Sequence, residues 1–520
     1  MKKLLSIVLT VVLVFLLCAC GSNQGGDTSQ KGENGSKPQR VSTITLLYSL
    51  SDSFNPYECI TDQNRQITKL IFEPLVKLDN EFNAVFCLAK EIKTEGAVCS
   101  VKLKNVLFSD GSRLTADDVV YSYNAAIASK GIYASKLYEV KKVTAVDDST
   151  VTFELKKHDA FFENVLTFPI FKAGSDKLTD EDSVKLIPIG CGKYVFNEEK
   201  TELLQNTKYY GERGEVKKIR LINAPDSESV AHYVEIGAAD IYFNDIKDGE
   251  IFRMSGQKYA VNLNNLVYIG VNHSVGDLGN PLLRQVISSA INRETVCVNA
   301  YYNNAIPAKG FYNPVWAPVK AVQNIQTLPN SQITVENLEE IGYNSLDGEG
   351  IRHKGGRSLR FSLLVNKENR LRVEAAELLA TQLLEYGIKL TVLKVDFEEY
   401  KKRLAEGNFQ LYLGEVNFSE NMDISSLVVP GGSAAFGIVK NEQQVEEGEV
   451  APLTSADILA SFYRGENEIT DVVAALQTEM PVIPVCYRTG VLFSKDFISN
   501  VSPASQSDIF LNIDSYKLIK

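Results

Sequence analysis

The chain has 520 residues and a formal net charge of −11, with 44% hydrophobic, 23% charged and 9% aromatic residues. That length exceeds what one hydrophobic core ordinarily supports, so a chain of ordinary soluble composition should divide between two or more lobes. The negative balance, two units larger without Lys2 and Lys3, excludes a generic nucleic-acid surface and is compatible with cationic or amphoteric ligands.

The opening "MKKLLSIVLTVVLVFLLCAC" sets two lysines before an apolar run from Ile7 to Leu17 that only Thr10 interrupts. An apolar core that short behind a basic start predicts a signal peptide over residues 1–19 rather than a membrane span. Leu17, Cys18, Ala19 and Cys20 resemble a bacterial lipobox, which implies a diacylglycerol on Cys20; ordinary secretion with cleavage nearby is the plainer alternative. Residues 20–40 hold no large apolar side chain after Cys20 and read as a flexible tether, spanning on the order of 25 Å.

Val101 and Leu103 alternate with polar neighbours as in a strand, and Ser109, Asp110 and Gly111 form a turn. Thr115 is a good helix N-cap, and Asp117 and Asp118 face the positive helix end. Val119, Tyr123, Ala126 and Ile127 are expected on one buried face. Two adjacent acids could form an acid/base pair, but neighbours on a helix point apart and no nucleophile accompanies them, so their expected job is capping. Further on, Trp316 is the only tryptophan and sits in the proline-rich "FYNPVWAP", where it either lines a pocket or plugs a lobe surface.

The second half alternates regularly. "SLRFSLLVN" reads as a strand, and Leu371 to Tyr386 as a helix with Val373, Ala376, Ala380 and Leu383 on one side and Gly387 as its stop. "IKLTVLKVD" is a second strand, Phe397 to Ala405 a second helix and "FQLYLGEV" a third strand. This β-α-β-α-β run predicts an open α/β lobe whose ligands lie beyond the carboxyl ends of its strands, placing Glu415, Asn417 and Phe418 near a cleft.

Beyond Cys18 and Cys20, the cysteines are Cys59, Cys87, Cys99, Cys191, Cys297 and Cys486. None has metal-ligand spacing, and they are expected as buried small apolar residues. His158, His232, His273 and His353 are scattered and read as surface or core histidines, so neither a metal nor another cofactor is expected. The chain lacks a G-x-S-x-G elbow, an H-E-x-x-H pair and a Walker A sequence, which argues against an enzyme; a secreted hydrolase with dispersed carboxylates is the alternative in that class.

"VKLKNVLFSDGSRLTADDVVYS" resembles the signature of the family 5 extracellular solute-binding proteins of peptide and nickel ABC importers. "FNPY" at 54–57, "LIFEPLVKLD", "IPIGCGKYVF", "NTKYYGERGEVKKIRL", "YIGVN" and "PLLRQVISSAINRETV" resemble further family segments in the same order. Cys191, Lys193, Tyr210 and Asn292 depart from the usual Thr, Pro, Trp and Asp. The resemblance implies a two-lobed, type II periplasmic-binding-protein-like α/β fold with an inserted subdomain. Lobe I would be residues 41–265, with the insertion over about 71–184, lobe II 266–489, and 490–520 a return to lobe I. It also implies capture of peptides or a related small solute, delivery to ABC permease subunits, and a monomer held by lipid at the extracytoplasmic face of the membrane. A peptide-signal receptor or surface interaction protein of the same fold is the alternative.

Asn55 and Tyr57 lie in the segment resembling the family's first cleft loop. In peptide-binding members an Asp just beyond the third strand commonly holds the ligand's ammonium. Asn417 takes that position here, leaving Glu415 or Asp423 as sources of the countercharge, or a ligand without a free amine at that point.

Overall fold

The computed structural model describes residues 42–180, 186–323, 325, 327–439 and 453–519. The signal segment, Cys20 and the tether lie outside the described residues. Strand Thr43–Tyr48 pairs in parallel with Lys218–Asn223, and Glu202–Gln205 and Tyr194–Phe196 extend that sheet antiparallel. Helix Asp62–Ile71 covers it, burying Ile67, Leu70 and Ile71 against Ile44, Leu46 and Ile219. The chain's last residues complete the same core: Ile509, Phe510, Ile513 and Tyr516 are buried in it, and Lys193 bonds Asp514.

Between these strands the chain builds a four-stranded antiparallel sheet in the order Ala89–Glu95, Val98–Leu103, Thr150–Leu155, Val140–Asp147. Helix Ala116–Ala128 packs on it. The preceding turn forms as its residues dictate: Asp110 Oδ1 accepts the Ser112 N–H at 2.9 Å, Gly111 takes φ +87°, and Lys172 pairs with Asp110 at 2.6 Å. Asp118 accepts from the Thr115 N–H at 2.8 Å and the Thr115 hydroxyl at 2.9 Å, while its other oxygen takes the Ala173 N–H. The acid therefore closes the helix start, as expected. Val119, Tyr123 and Ala126 are buried, but Ile127 is exposed: it stands at the edge of the apolar face, in the helix's last turn.

The second large sheet runs Ile241–Asn244, Ile483–Ser494, Gln257–Val271, Leu411–Asn417, Arg360–Asn366, Lys389–Val395, with Ala305–Pro307 beside Ile483–Ser494. Its parallel part is the predicted β-α-β-α-β run, with helices Arg370–Leu384 and Phe397–Glu406 between the strands. Asn369 and Asp396 cap those helices, and Gly387 and Gly407 follow them at positive φ. In the first helix the buried face is Leu371, Ala375, Ala376, Leu379 and Leu383. Val373 and Ala380 lie at its margin, because the sheet is met one residue away from the predicted stripe.

Two long antiparallel strands, Gln257–Val271 and Ile483–Ser494, run through the centre of the molecule. Their pairing continues from Gln257↔Ser494 to Ile269↔Ile483 and is broken only between Asn262 and Leu266 and again between Val267 and Tyr268. Such bulges bend and twist a strand pair locally. On the far side, Phe161 of the insertion packs on Trp316 and Phe462, each 5.4 Å away between ring centres.

Candidate functional site

A cavity of about 890 Å³ opens where strand ends meet. Leu46 and Leu47 bring the first sheet to it, and Gln66 and Lys69 the flank of helix Asp62–Ile71. Tyr133 and Lys136 come from the insertion's short helix Ile132–Lys136. Asn265, Glu415, Asn417 and Arg488 face them from the second sheet, and Gln506 and Ser507 from the returning C-terminal segment. The carboxyl end of strand Leu411–Asn417 thus lies at the cleft, as open α/β sheets require.

Glu415 anchors the floor. Its Oε1 accepts from Arg488 Nε at 2.7 Å and Asn265 Nδ2 at 3.0 Å, and its Oε2 from Arg372 Nη2 at 2.9 Å; the side chain is 7% exposed. Burial alone would raise its pKa, but Arg488 and Arg372 outweigh that and hold the carboxyl below its ordinary range. Both oxygens are engaged by two guanidiniums, so Glu415 has no charge to lend an ammonium. Arg488 also donates to the Asp245 carbonyl.

The remaining predicted residues separate. Asn417 is on the wall, exposed, with Gln506 Nε2 at 3.4 Å from its Oδ1. Phe418 is buried behind it, its N–H on the Asn264 carbonyl, and does not form the wall. Asp423 also lies off the wall: its Oδ1 accepts the Ser425 N–H at 2.8 Å and starts the short helix Ser425–Val428.

Asn55 turns the chain rather than facing the cavity; its Oδ1 accepts the Tyr57 N–H at 3.0 Å. Tyr57 donates to the Pro169 carbonyl and packs edge-on to Tyr133 at 5.6 Å, so it supports a wall residue from behind. Pro56, between them, reaches the wall. Trp316 resolves as a plug: it is 3% exposed, against Tyr312 at 5.3 Å and Phe161, and is absent from the cavity lining.

Sequence reasoning missed Gln66, Lys69, Tyr133, Lys136, Glu420 and Arg488, all of which line the cavity. One signal was present for Arg488. An arginine inside "IPVCYRTGVLF", otherwise a buried strand, demands a buried counter-ion. Lys69 on its amphipathic helix and Lys136 on its short exposed one carry no such mark. Two ion pairs tie the walls together, Lys136 with Glu420 and Lys247 with Asp62 at 2.6 Å. None of the four histidines lines the cavity, and Cys59, Cys87, Cys99, Cys191, Cys297 and Cys486 are buried free thiols. Among the described residues no cluster of three or more His, Cys, Asp or Glu could hold a metal, and no helix is long and apolar enough to cross a membrane.

Residues 84–435 match the bacterial extracellular solute-binding proteins, family 5 (middle region), and the chain belongs to that family of binding proteins. It is 27% identical over 424 residues to the oligopeptide-binding protein AppA of Bacillus subtilis, covering 77% of each chain. It is 21% identical over 463 residues to the nickel-binding periplasmic protein of Escherichia coli, covering 83% of this chain and 86% of that one. In fold it is similar to the unliganded open form of the periplasmic murein tripeptide-binding protein MppA, with a TM-score of 0.73 and 18% identity over 93% of this chain and 99% of the other.

Proposed function

We propose that the chain is the substrate-binding component of an ABC importer and that it captures peptides in the cavity between its two sheets. The observation that carries this reading is the cavity itself. Its 890 Å³ lies in the upper part of the range of ligand sites, and its wall mixes apolar strand ends with both signs of charge. A peptide presents that mixture; a bare cation does not, and the wall offers it no histidine. The bulged strand pair at Asn262–Leu266 is the natural place for one lobe to swing toward the other, and Lys136–Glu420 is a contact that closure makes.

The arrangement around Glu415 bears on how the peptide sits. With both its oxygens engaged by Arg372 and Arg488, and Asp423 off the wall, neither Glu415 nor Asp423 is free to hold an amino terminus beside Asn417. Native mass spectrometry of protein purified without unfolding tests the function. A heterogeneous set of bound peptides is expected, and a single non-peptide mass that peptides cannot displace would refute it.

Attachment through Cys20 completes the reading, since a tethered protein stays near its permease. Two acyl chains hold firmly where one holds marginally. Cys20→Ala is expected to release the protein into the medium or to leave it with an uncleaved signal, and undiminished membrane retention of the variant after its signal peptide is removed would exclude lipid at this residue.

A further inference from the structure

One end of the cavity is built around a lysine without a counter-ion. Lys69 projects from helix Asp62–Ile71 into the wall, where its Nζ donates to the Ser507 carbonyl and makes no ion pair among the described residues. The nearby carboxylates are committed elsewhere. Glu420 pairs through Oε1 with Lys136, while Glu73 and Asp508 each sit 3.0 Å from Lys77. Burial lowers the Lys69 pKa to about 8; Asp508 and Glu420 oppose that from a distance, and Lys136 and Lys77 add to it. The surrounding charges thus do not make good the water that the ammonium has lost.

Three polar atoms of the same wall are buried without a partner: Thr167 Oγ1, Gln66 Oε1 and Glu420 Oε2. Buried polar atoms are normally paired, and three orphans around one cavity describe a place where another molecule supplies the missing bonds. A small adjoining cavity shares Lys69, Tyr133, Thr167 and Ser507 with the main one, so the lysine is bordered by space on both sides. The unmet groups comprise an ammonium and a hydroxyl able to donate, and two oxygens able only to accept. An anion joined to an N–H donor satisfies both sets.

We infer that this end of the cleft is a carboxylate subsite, in which Lys69 Nζ and Thr167 Oγ1 hold the terminal carboxylate of a bound peptide while Gln66 Oε1 and Glu420 Oε2 accept N–H groups of its last residues. The assignment rests on the peptide reading above. It orients the ligand with its carboxyl terminus at helix Asp62–Ile71, and it makes Lys69 a determinant of specificity. Because the carboxylate favours the charged lysine, binding is strongest below the free-protein pKa and weakens as the pH rises above it.

The test is calorimetry with a pool of tri- to pentapeptides lacking Asp and Glu, offered as free acids and as carboxyl-terminal amides. Wild type is expected to bind the free acids about 10- to 100-fold more tightly, the value of a charge-assisted hydrogen bond or two. Lys69→Met should erase that preference and Lys69→Arg retain part of it. The acid-over-amide ratio of wild type should fall between pH 7 and pH 9, the shared amino terminus cancelling between the two pools; this measurement decides the matter if the variants do not fold. Equal affinity for acids and amides, a preference that survives in folded Lys69→Met, or a ratio unchanged across that pH range overturns the subsite while peptide binding stands. Failure of both pools to bind removes the peptide reading and the subsite with it.

Discussion

Glu415→Gln is expected to lower the stability of the folded protein by about 3–5 kcal/mol, the cost of removing one partner from a buried ion cluster. The neutral amide leaves Arg372 and Arg488, whose side chains are 17% and 3% exposed, facing each other without a negative charge. Arg372 Nε already lacks a partner, so the site has little slack with which to rearrange. Urea denaturation at neutral pH measures the loss. The pH dependence has a definite sign. The folded pKa of Glu415 is depressed, so its contribution is complete above the unfolded carboxylate value, about 4.3, and disappears as the pH falls through the lower folded value. The gap between wild type and variant should therefore close in acid. A loss below about 1 kcal/mol at pH 7, the range of solvent-screened pairs, would contradict the account of the cleft floor.

A second large effect is expected at Lys77→Met. Lys77 lies in the short strand Val76–Leu78 and bridges Glu73 and Asp508, each 3.0 Å away and each almost wholly buried. This cluster ties the C-terminal segment to the start of the insertion. Tyr209 adds a hydroxyl to Glu73 at 3.3 Å, a contact too weak to replace an ammonium. Without the lysine, two carboxylates share one dry site, and a cost of about 3–5 kcal/mol follows at neutral pH. Like charges raise one of the two acid pKa values, so the variant recovers as the pH falls toward 5 and one carboxylate takes a proton. Thermal melts at pH 7 and pH 5 read this directly. An equal deficit at both values would show that the loss is one of packing rather than charge.

Much of the fold was legible because it depends on signals close together in the chain. The run from Arg360 to Asn417 switches between the strand and helix periods, and Asn369, Gly387, Asp396 and Gly407 mark its boundaries. The turn at Asp110 and the helix start at Thr115 are equally local. The site was legible only in part. Strand order placed Glu415 and Asn417 at the cleft, but the state of Glu415 depends on Arg488, 73 residues away, and Lys69 meets Ser507 across 438 residues. No periodicity carries pairings of that separation. Asp423 looked available because its bond to the Ser425 N–H is local and invisible in composition, and Trp316 looked ambiguous because an indole suits a wall and a plug equally well.

The central claim is that the cavity between the two sheets is where the chain holds peptide. Gln66→Trp tests it by placing an indole on the cavity wall from the flank of a helix whose buried face it leaves intact. Titration of a tri- to pentapeptide pool into wild type and variant by calorimetry, with melting curves to confirm folding, gives the answer. Saturable one-to-one binding by wild type, weakened severalfold or more in the folded variant, is the predicted result. Peptide affinity unchanged by the indole would place the ligand elsewhere and contradict the account.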